Sequence, residues 1–379
     1  MTCAGIIFSN LHDRNVAELT KVRTMASVPF AGGYRLIDFP LSNMIHAGIR
    51  NISVIAHDNY HSLMEHIGSG KDWDLACHTG GIRILPPYAT AYASPCAGLY
   101  TTRLEALKGI VQTVLDMTEE QVVLSDCDVI SNIDLSGMLR EHEACDADVT
   151  MVVKQICLPE AEGRGCVYVL PESDENGTVT DVYDSSANIR GYHDVCMNIW
   201  IMKRRVLTEM ILDAIAHEYT SFQRDVILRN LSRRNIRITR WDGYYACIGS
   251  MANYFERSMA IAAGRDDREA LFRVPGRPIY TKMCNFAPTY YGDSAEVNDS
   301  LIADGCVING TVENSVLFPG VRIGAHTTVR NSVLFQDSTI GENVQLDCVV
   351  SDKKSIIRDN CRLAGHEKLP FYIGKGMML

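Results

Sequence analysis

Asn314-Ser-Val-Leu-Phe-Pro-Gly-Val-Arg-Ile-Gly-Ala-His-Thr-Thr-Val329 is echoed by Asn331-Ser-Val-Leu-Phe-Gln-Asp-Ser-Thr-Ile-Gly-Glu-Asn-Val-Gln-Leu346, at an offset of 17 residues. A third, fainter copy starts at Cys348-Val-Val-Ser. Within the copies apolar residues return every sixth position, from Ile323 to Val329 and from Leu334 through Ile340 to Leu346. A six-residue period with Ile-Gly starts predicts a hexapeptide-repeat β-helix with three short faces per coil. An antiparallel sandwich also has short strands and turns, but it does not require identical residues at matched places. Such a solenoid leaves stackable faces, which predicts an oligomer.

The preceding ~275 residues follow a different rule, expected of a separate domain with its own core. Ala4–Phe8, Ile52–Ala56, Val122–Leu124 and Val149–Val153 read as strands rich in β-branched residues. Amphipathic stretches such as Ser62–Ile67 and Arg103–Met117 alternate with them as helices. This alternation predicts a mostly parallel sheet with helices on both faces, hence an α/β domain at 1–275 followed by an all-β domain at 276–379. Ligands of such sheets sit outside the carboxyl ends of the strands, where Ser9 and Asp126 fall.

A net charge of -10 argues against nucleic acid or an anionic membrane as partner, since both call for a basic face. The 13 cysteines are scattered singly, without the paired spacing of a metal site. No apolar run approaches a membrane span and no signal-like segment opens the chain, so a reducing cytoplasm is the expected home.

Val28-Pro-Phe-Ala-Gly-Gly-Tyr-Arg-Leu-Ile-Asp-Phe-Pro-Leu-Ser-Asn-Met-Ile-His-Ala-Gly-Ile49 carries a resemblance. Together with His61-Ser-Leu-Met-Glu-His-Ile67 and Asn298-Asp-Ser-Leu-Ile-Ala-Asp-Gly-Cys-Val-Ile308, it resembles the bacterial ADP-glucose pyrophosphorylases, the glucose-1-phosphate adenylyltransferases, over nearly the whole chain. The resemblance implies a Rossmann-like, GT-A-type nucleotidyltransferase domain followed by a left-handed parallel β-helix. It also implies the family's reaction, in which ATP and glucose 1-phosphate give ADP-glucose and pyrophosphate on the way to glycogen. The nucleophile there is already an anionic phosphate, so the chemistry asks chiefly for charge neutralisation and in-line positioning by Mg²⁺, Lys, Arg and backbone N–H groups.

Against the family pattern, those parts are missing. The paired glycines of the phosphate loop fall on Asn10 and Leu11, whose side chains block close backbone approach. The loop arginine falls on Asn15, a lysine on Met25, and the sugar-phosphate lysine on Ser185 within Asp184-Ser-Ser-Ala-Asn188. The family's Gly-Thr-Ala-Asp-Ala becomes Thr102-Arg-Leu-Glu-Ala106. In Ser125-Asp-Cys-Asp-Val-Ile130, Asp128 matches a metal-holding aspartate, but its partner position in Tyr245-Ala-Cys-Ile-Gly-Ser250 is Cys247. A thiol is a poor ligand for Mg²⁺. Removing one electrostatic donor alone typically costs ~10²–10³ in rate.

The resemblance therefore implies a degenerate, D-type subunit without working catalytic residues, with Asp128 vestigial and no metal of its own. Asn10, Leu11, Asp126, Glu105, Asp184 and Asn198 are expected as remnants of a substrate pocket. Mg²⁺ and ATP would belong to a catalytic glucose-1-phosphate adenylyltransferase subunit, with which this chain would form a heterotetramer; a homo-oligomer is the alternative for the isolated chain. A weakly active transferase with a rebuilt site and a non-catalytic ligand sensor are the competing functions. Effector sites of the family lie near the domain junction and use Lys and Arg, which makes Lys21, Arg23, His366 and Lys368 candidate effector contacts.

Overall fold

A computed structural model describes residues 2–76, 80–86, 100–158, 168–185 and 189–379. Of the run Asp184–Asn188, positions 186–188 lie outside the described residues. Among the described residues seven strands form the main sheet: β1 Cys3–Phe8, β2 Asn51–Ile55, β3 Gly81–Leu85, β4 Gln121–Asp126, β5 Val149–Leu158, β6 Gly191–Lys203 and β7 Ile236–Arg240. Their spatial order is β7-β5-β6-β4-β1-β2-β3. β6 runs antiparallel to both neighbours and the other pairings are parallel, so the sheet is mostly parallel as expected.

The strand sequences are nearly continuous apolar runs because both faces of the sheet are covered. Ile6, Phe8, Leu124, Met151 and Trp200 enter one core, while Ile7, Val54, Val123, Val152 and Ile201 enter the other. The stretch Arg103–Met117, expected as one helix, is two: Arg103–Gly109 and Val111–Asp116. Gly109 is a weak helix residue, and Ile110 leaves helical geometry (φ -114°, ψ 16°) with its side chain buried in the core.

From Tyr290 the chain winds into three parallel five-stranded sheets, the left-handed β-helix. Register steps by 15 residues where Glu296 pairs Thr311, and then by 17, with Thr328 pairing Thr311 and Gln345 pairing Thr328. Ile308, Ile323, Ile340 and Ile357 stack in neighbouring coils and fill the interior. The repeated asparagine has its own cause. Asn314 and Asn331 both take φ of 43°, a left-handed turn that Asn tolerates, and the Asn314 Nδ2 amide donates to Asn331 Oδ1 at 2.8 Å.

The two parts share a core. Val16, Met25, Phe30 and Tyr254 pack with Val316, Val333, Phe335 and Val350 of the solenoid. An ion pair crosses the same junction, with Arg23 Nη2 2.6 and 2.8 Å from the two carboxylate oxygens of Asp352. Among the described residues no helix is long and apolar enough to cross a membrane.

Candidate functional site

β1 and β4 pair side by side, Phe8 opposite Asp126, so the residues that follow each strand emerge together at the carboxyl edge of the sheet. The loop after β1 turns its polar groups inward. Asn10 Oδ1 accepts from Ser9 Oγ and from the backbone N–H of His57, and Asn10 Nδ2 donates to Asp13 Oδ2 at 2.7 Å. Asp13 Oδ1 accepts from the Met25 N–H, and the N–H groups of Asp13 and Asn15 bond back to Asn10 and His12 carbonyls. The N–H groups of Ser9, Asp13 and Asn15 are thus used within the protein. Burial pushes the Asp13 carboxyl up to about 6, and a carboxylate in this position is hostile to phosphate.

Asp126 and Asp128 are both buried at the end of β4. Arg103 Nη2 lies 2.6 Å from Asp126 Oδ2 and Nε lies 3.4 Å from Oδ1, while Nη2 also donates to Asn198 Oδ1 at 3.2 Å. Asn198 reaches this point because a bulge in β6 puts it in the left-handed region at φ 56°. His12 Nε2 sits 2.8 Å from Asp126 Oδ2 and 3.5 Å from Asp128 Oδ2. Burial alone would lower the His12 imidazole, but Asp128 and the hydrogen-bonded Asp126 outweigh it and raise its pKa to about 9. Burial would raise Asp126, yet Arg103 and His12 hold its carboxyl below the usual range. Asp128 is raised, chiefly by burial. At neutral pH the cluster pairs two acidic side chains with two cations from the same chain.

Cys247 joins this cluster through the short antiparallel pair Val129–Ile130 with Ala246–Cys247. Its Sγ lies 3.7 Å from Asp128 Oδ2. His12, Asp126 and Asp128 bring ligand-type atoms within 4.8 Å of one another. The group does not suit the Mg²⁺ that the nucleotidyltransferase fold implies. Asp126 has both oxygens near Arg103, the flanking groups of Asp128 are an imidazole and a thiol, and Mg²⁺ asks for an octahedron of hard oxygens. Asp128 Oδ1, buried and without a hydrogen-bond partner among the described residues, is one oxygen where several are needed.

The comparisons agree with this scaffold. Residues 14–263 match the nucleotidyl transferase family and residues 284–368 match the GlmU-like C-terminal hexapeptide family. The glycogen biosynthesis protein GlgD of Bacillus subtilis is 31% identical over 374 residues, 99% of this chain and 96% of that protein. Glucose-1-phosphate adenylyltransferases of Halalkalibacterium halodurans (29% over 329 residues, 86% of this chain and 83% of that protein) and Thermosipho africanus (30% over 322 residues, 84% and 76%) are also similar. The chain belongs to the bacterial ADP-glucose pyrophosphorylase family. Within that family framework the expected remnants separate. Asp126, Asp128, Asn198 and Cys247 meet around Arg103 and His12, whereas Glu105 is used at the start of its helix in a capping box with Thr102. Asp184 is exposed at the end of a two-stranded ribbon, and Ser185 closes that ribbon by accepting from the Tyr168 N–H. Leu11 packs on the core, Met25 is buried at the junction, and Asn15 is exposed in a 3-10 turn.

Of the candidate effector contacts, Lys21, His366 and Lys368 are exposed, while Arg23 is buried against Asp352. The cations that do crowd the junction are Lys353 and Arg35: burial first, then Arg35 and Arg23, lower the Lys353 amine to about 8.

Arg103 and His12 are the members of this cluster that sequence reasoning did not single out. Arg103 stands inside Thr102-Arg-Leu-Glu-Ala106, where a cation replaces a small residue of the family pattern, and that substitution was the available signal.

Proposed function

We propose that this chain is a regulatory, catalytically degenerate subunit of glucose-1-phosphate adenylyltransferase in glycogen biosynthesis, assembling with a catalytic subunit and modulating it. The observation that carries this reading is the cleft at the carboxyl ends of β1 and β4, filled by the Arg103–Asp126–His12–Asp128 cluster. Metal and triphosphate would have to displace the chain's own charges to enter, so Mg²⁺ and ATP belong to the catalytic partner. The remaining value of the fold is its surface and its junction, which fits a heterotetramer.

ADP-glucose synthesis should be measured for this chain alone, for a catalytic homologue alone and for the co-expressed pair. The expected result is silence from the lone chain and a co-purifying complex with altered kcat, KM or effector response. Clear Mg²⁺-dependent turnover by the lone chain, abolished by Asp128→Asn, would mean a rebuilt transferase site.

The crowding of Arg35, Lys353 and the paired Arg23 at the junction favours modulation through an anionic effector held there. Sulfate should raise the thermal midpoint of the isolated chain, and Lys353→Met should remove most of that rise. Equal stabilisation of both proteins would place the anion elsewhere.

A further inference from the structure

A divalent cation in a phosphoryl-transfer cleft neutralises the carboxylates that line it before it does anything to substrate. In this chain a group attached to the backbone already performs that neutralisation. Arg103 is the first residue of its helix, and the reciprocal Thr102–Glu105 capping box fixes where the helix begins. The side chain runs into the cleft and is 5% exposed. Its guanidinium carbon lies 5.7 Å from the Phe8 ring centroid, 6.0 Å from Trp200 and 5.6 Å from Phe222, so aromatic rings surround the cation while Asp126 and Asn198 take its N–H groups. A guanidinium keeps its charge and presents a rigid fork, so this contact persists wherever the fold does.

We propose that Arg103 is an internal replacement for the divalent cation, locking the cleft in a metal-independent state that excludes a metal–triphosphate. Entry of a metal is opposed twice. The incoming ion meets a fixed like charge, and pulling Asp126 away strands a guanidinium in an aromatic cage without its counter-ion, which is costly in a buried setting. Cys247 at 3.7 Å from Asp128 offers no compensating hard oxygen. The inference rests on the regulatory-subunit reading and deepens it, because it names what closes the vestigial site.

The test uses the full chain and Mn²⁺ as probe, read by the electron paramagnetic resonance signal of free Mn²⁺ and by thermal unfolding. The unmodified chain should show no saturable Mn²⁺ binding and no change in its midpoint with millimolar Mn²⁺ or with EDTA. Arg103→Thr, which restores the family's residue, should bind Mn²⁺ at least about tenfold more tightly, the scale of removing one nearby like charge. It should also gain a Mn²⁺-dependent rise in midpoint that Arg103→Thr with Asp126→Asn loses. Arg103→Lys, which keeps the charge, should stay near the unmodified chain. An Arg103→Thr protein that folds and gains no Mn²⁺ affinity overturns the proposal. If that variant does not fold, the unmodified chain decides: saturable Mn²⁺ binding to it, abolished by Asp126→Asn, overturns the proposal, and its absence supports it. Turnover is not read here, so saturable Mn²⁺ binding by the unmodified chain that Asp126→Asn abolishes would sink the internal-cation idea and leave the subunit reading to its own assay.

Discussion

His142 lies in the core of the α/β domain with both ring nitrogens engaged, Nδ1 at 2.7 Å from Thr150 Oγ1 and Nε2 at 3.1 Å from Gln121 Oε1. The neutral ring satisfies both contacts, donating to the Gln121 carbonyl and accepting from the Thr150 hydroxyl. Burial first, then Lys203, lower its pKa from 6.5 to about 4. The unfolded chain therefore takes up a proton between those values that the folded chain refuses, and stability falls as pH drops through that window. The loss reaches up to about 3 kcal/mol near pH 4. Urea unfolding at pH 7 and at pH 5 should show a steeper decline for the unmodified protein than for His142→Asn. Parallel declines would assign the acid sensitivity to the carboxylates instead.

At the scale of an element, the β-helix depends on glycines where coils touch. A Cβ on Gly324 would come within 2.4 Å of the Gly341 carbonyl oxygen, a backbone atom that cannot swing aside. Gly324→Ala should cost roughly 1–3 kcal/mol by forcing coils apart. The measurement is denaturant unfolding, and an unchanged midpoint would show that the coils can shift freely. The helix Arg103–Gly109 is a second element-scale case. Thr102→Ala removes the oxygen that accepts from the Glu105 N–H and should cost about 1 kcal/mol. Because that cap also aims Arg103, the same variant should loosen the Arg103–Asp126 contact, seen as faster amide exchange at the helix start.

On the scale of the whole molecule, the junction decides whether a signal in one domain is felt in the other. Asp352 accepts from Arg23 Nη2, from the Lys353 N–H at 2.6 Å and from the Tyr372 hydroxyl at 2.9 Å. Arg23 lies over the Phe335 ring at 5.8 Å, and its Nη1 is buried without a partner among the described residues. Such a pair is expensive to break on one side only. Asp352→Ala should destabilise the chain by about 3–5 kcal/mol, while joint replacement of Arg23 and Asp352 by apolar residues of similar volume should come out near neutral. Chemical denaturation of the three proteins checks this. Equal losses for the single and the double variant would mean that the pair itself, rather than the stranded charge, holds the domains together.

The architecture was legible in the sequence because it is written in local periodicity. A six-residue period with repeated Asn and Ile-Gly fits stacked coils better than a sandwich, and apolar runs alternating with amphipathic stretches fit a sheet covered on both faces. The expected losses at Asn10, Leu11, Asn15, Met25, Ser185 and Cys247 came from setting the sequence against the family's motifs, one residue at a time. What filled the cleft was not legible. Arg103 and Asp126 are separated by 23 residues and His12 and Asp126 by 114, and no local rule couples them. Only the pairing of β1 with β4, the bulge at Asn198 and the capped start of one helix bring these charges to the same few ångströms. The sequence by itself determined the scaffold, through its periodicities and motifs. The tertiary structure decided that Arg103 and His12 meet Asp126, and that Arg23 serves the domain junction, because burial and electrostatic pairing depend on distances that only the folded chain defines.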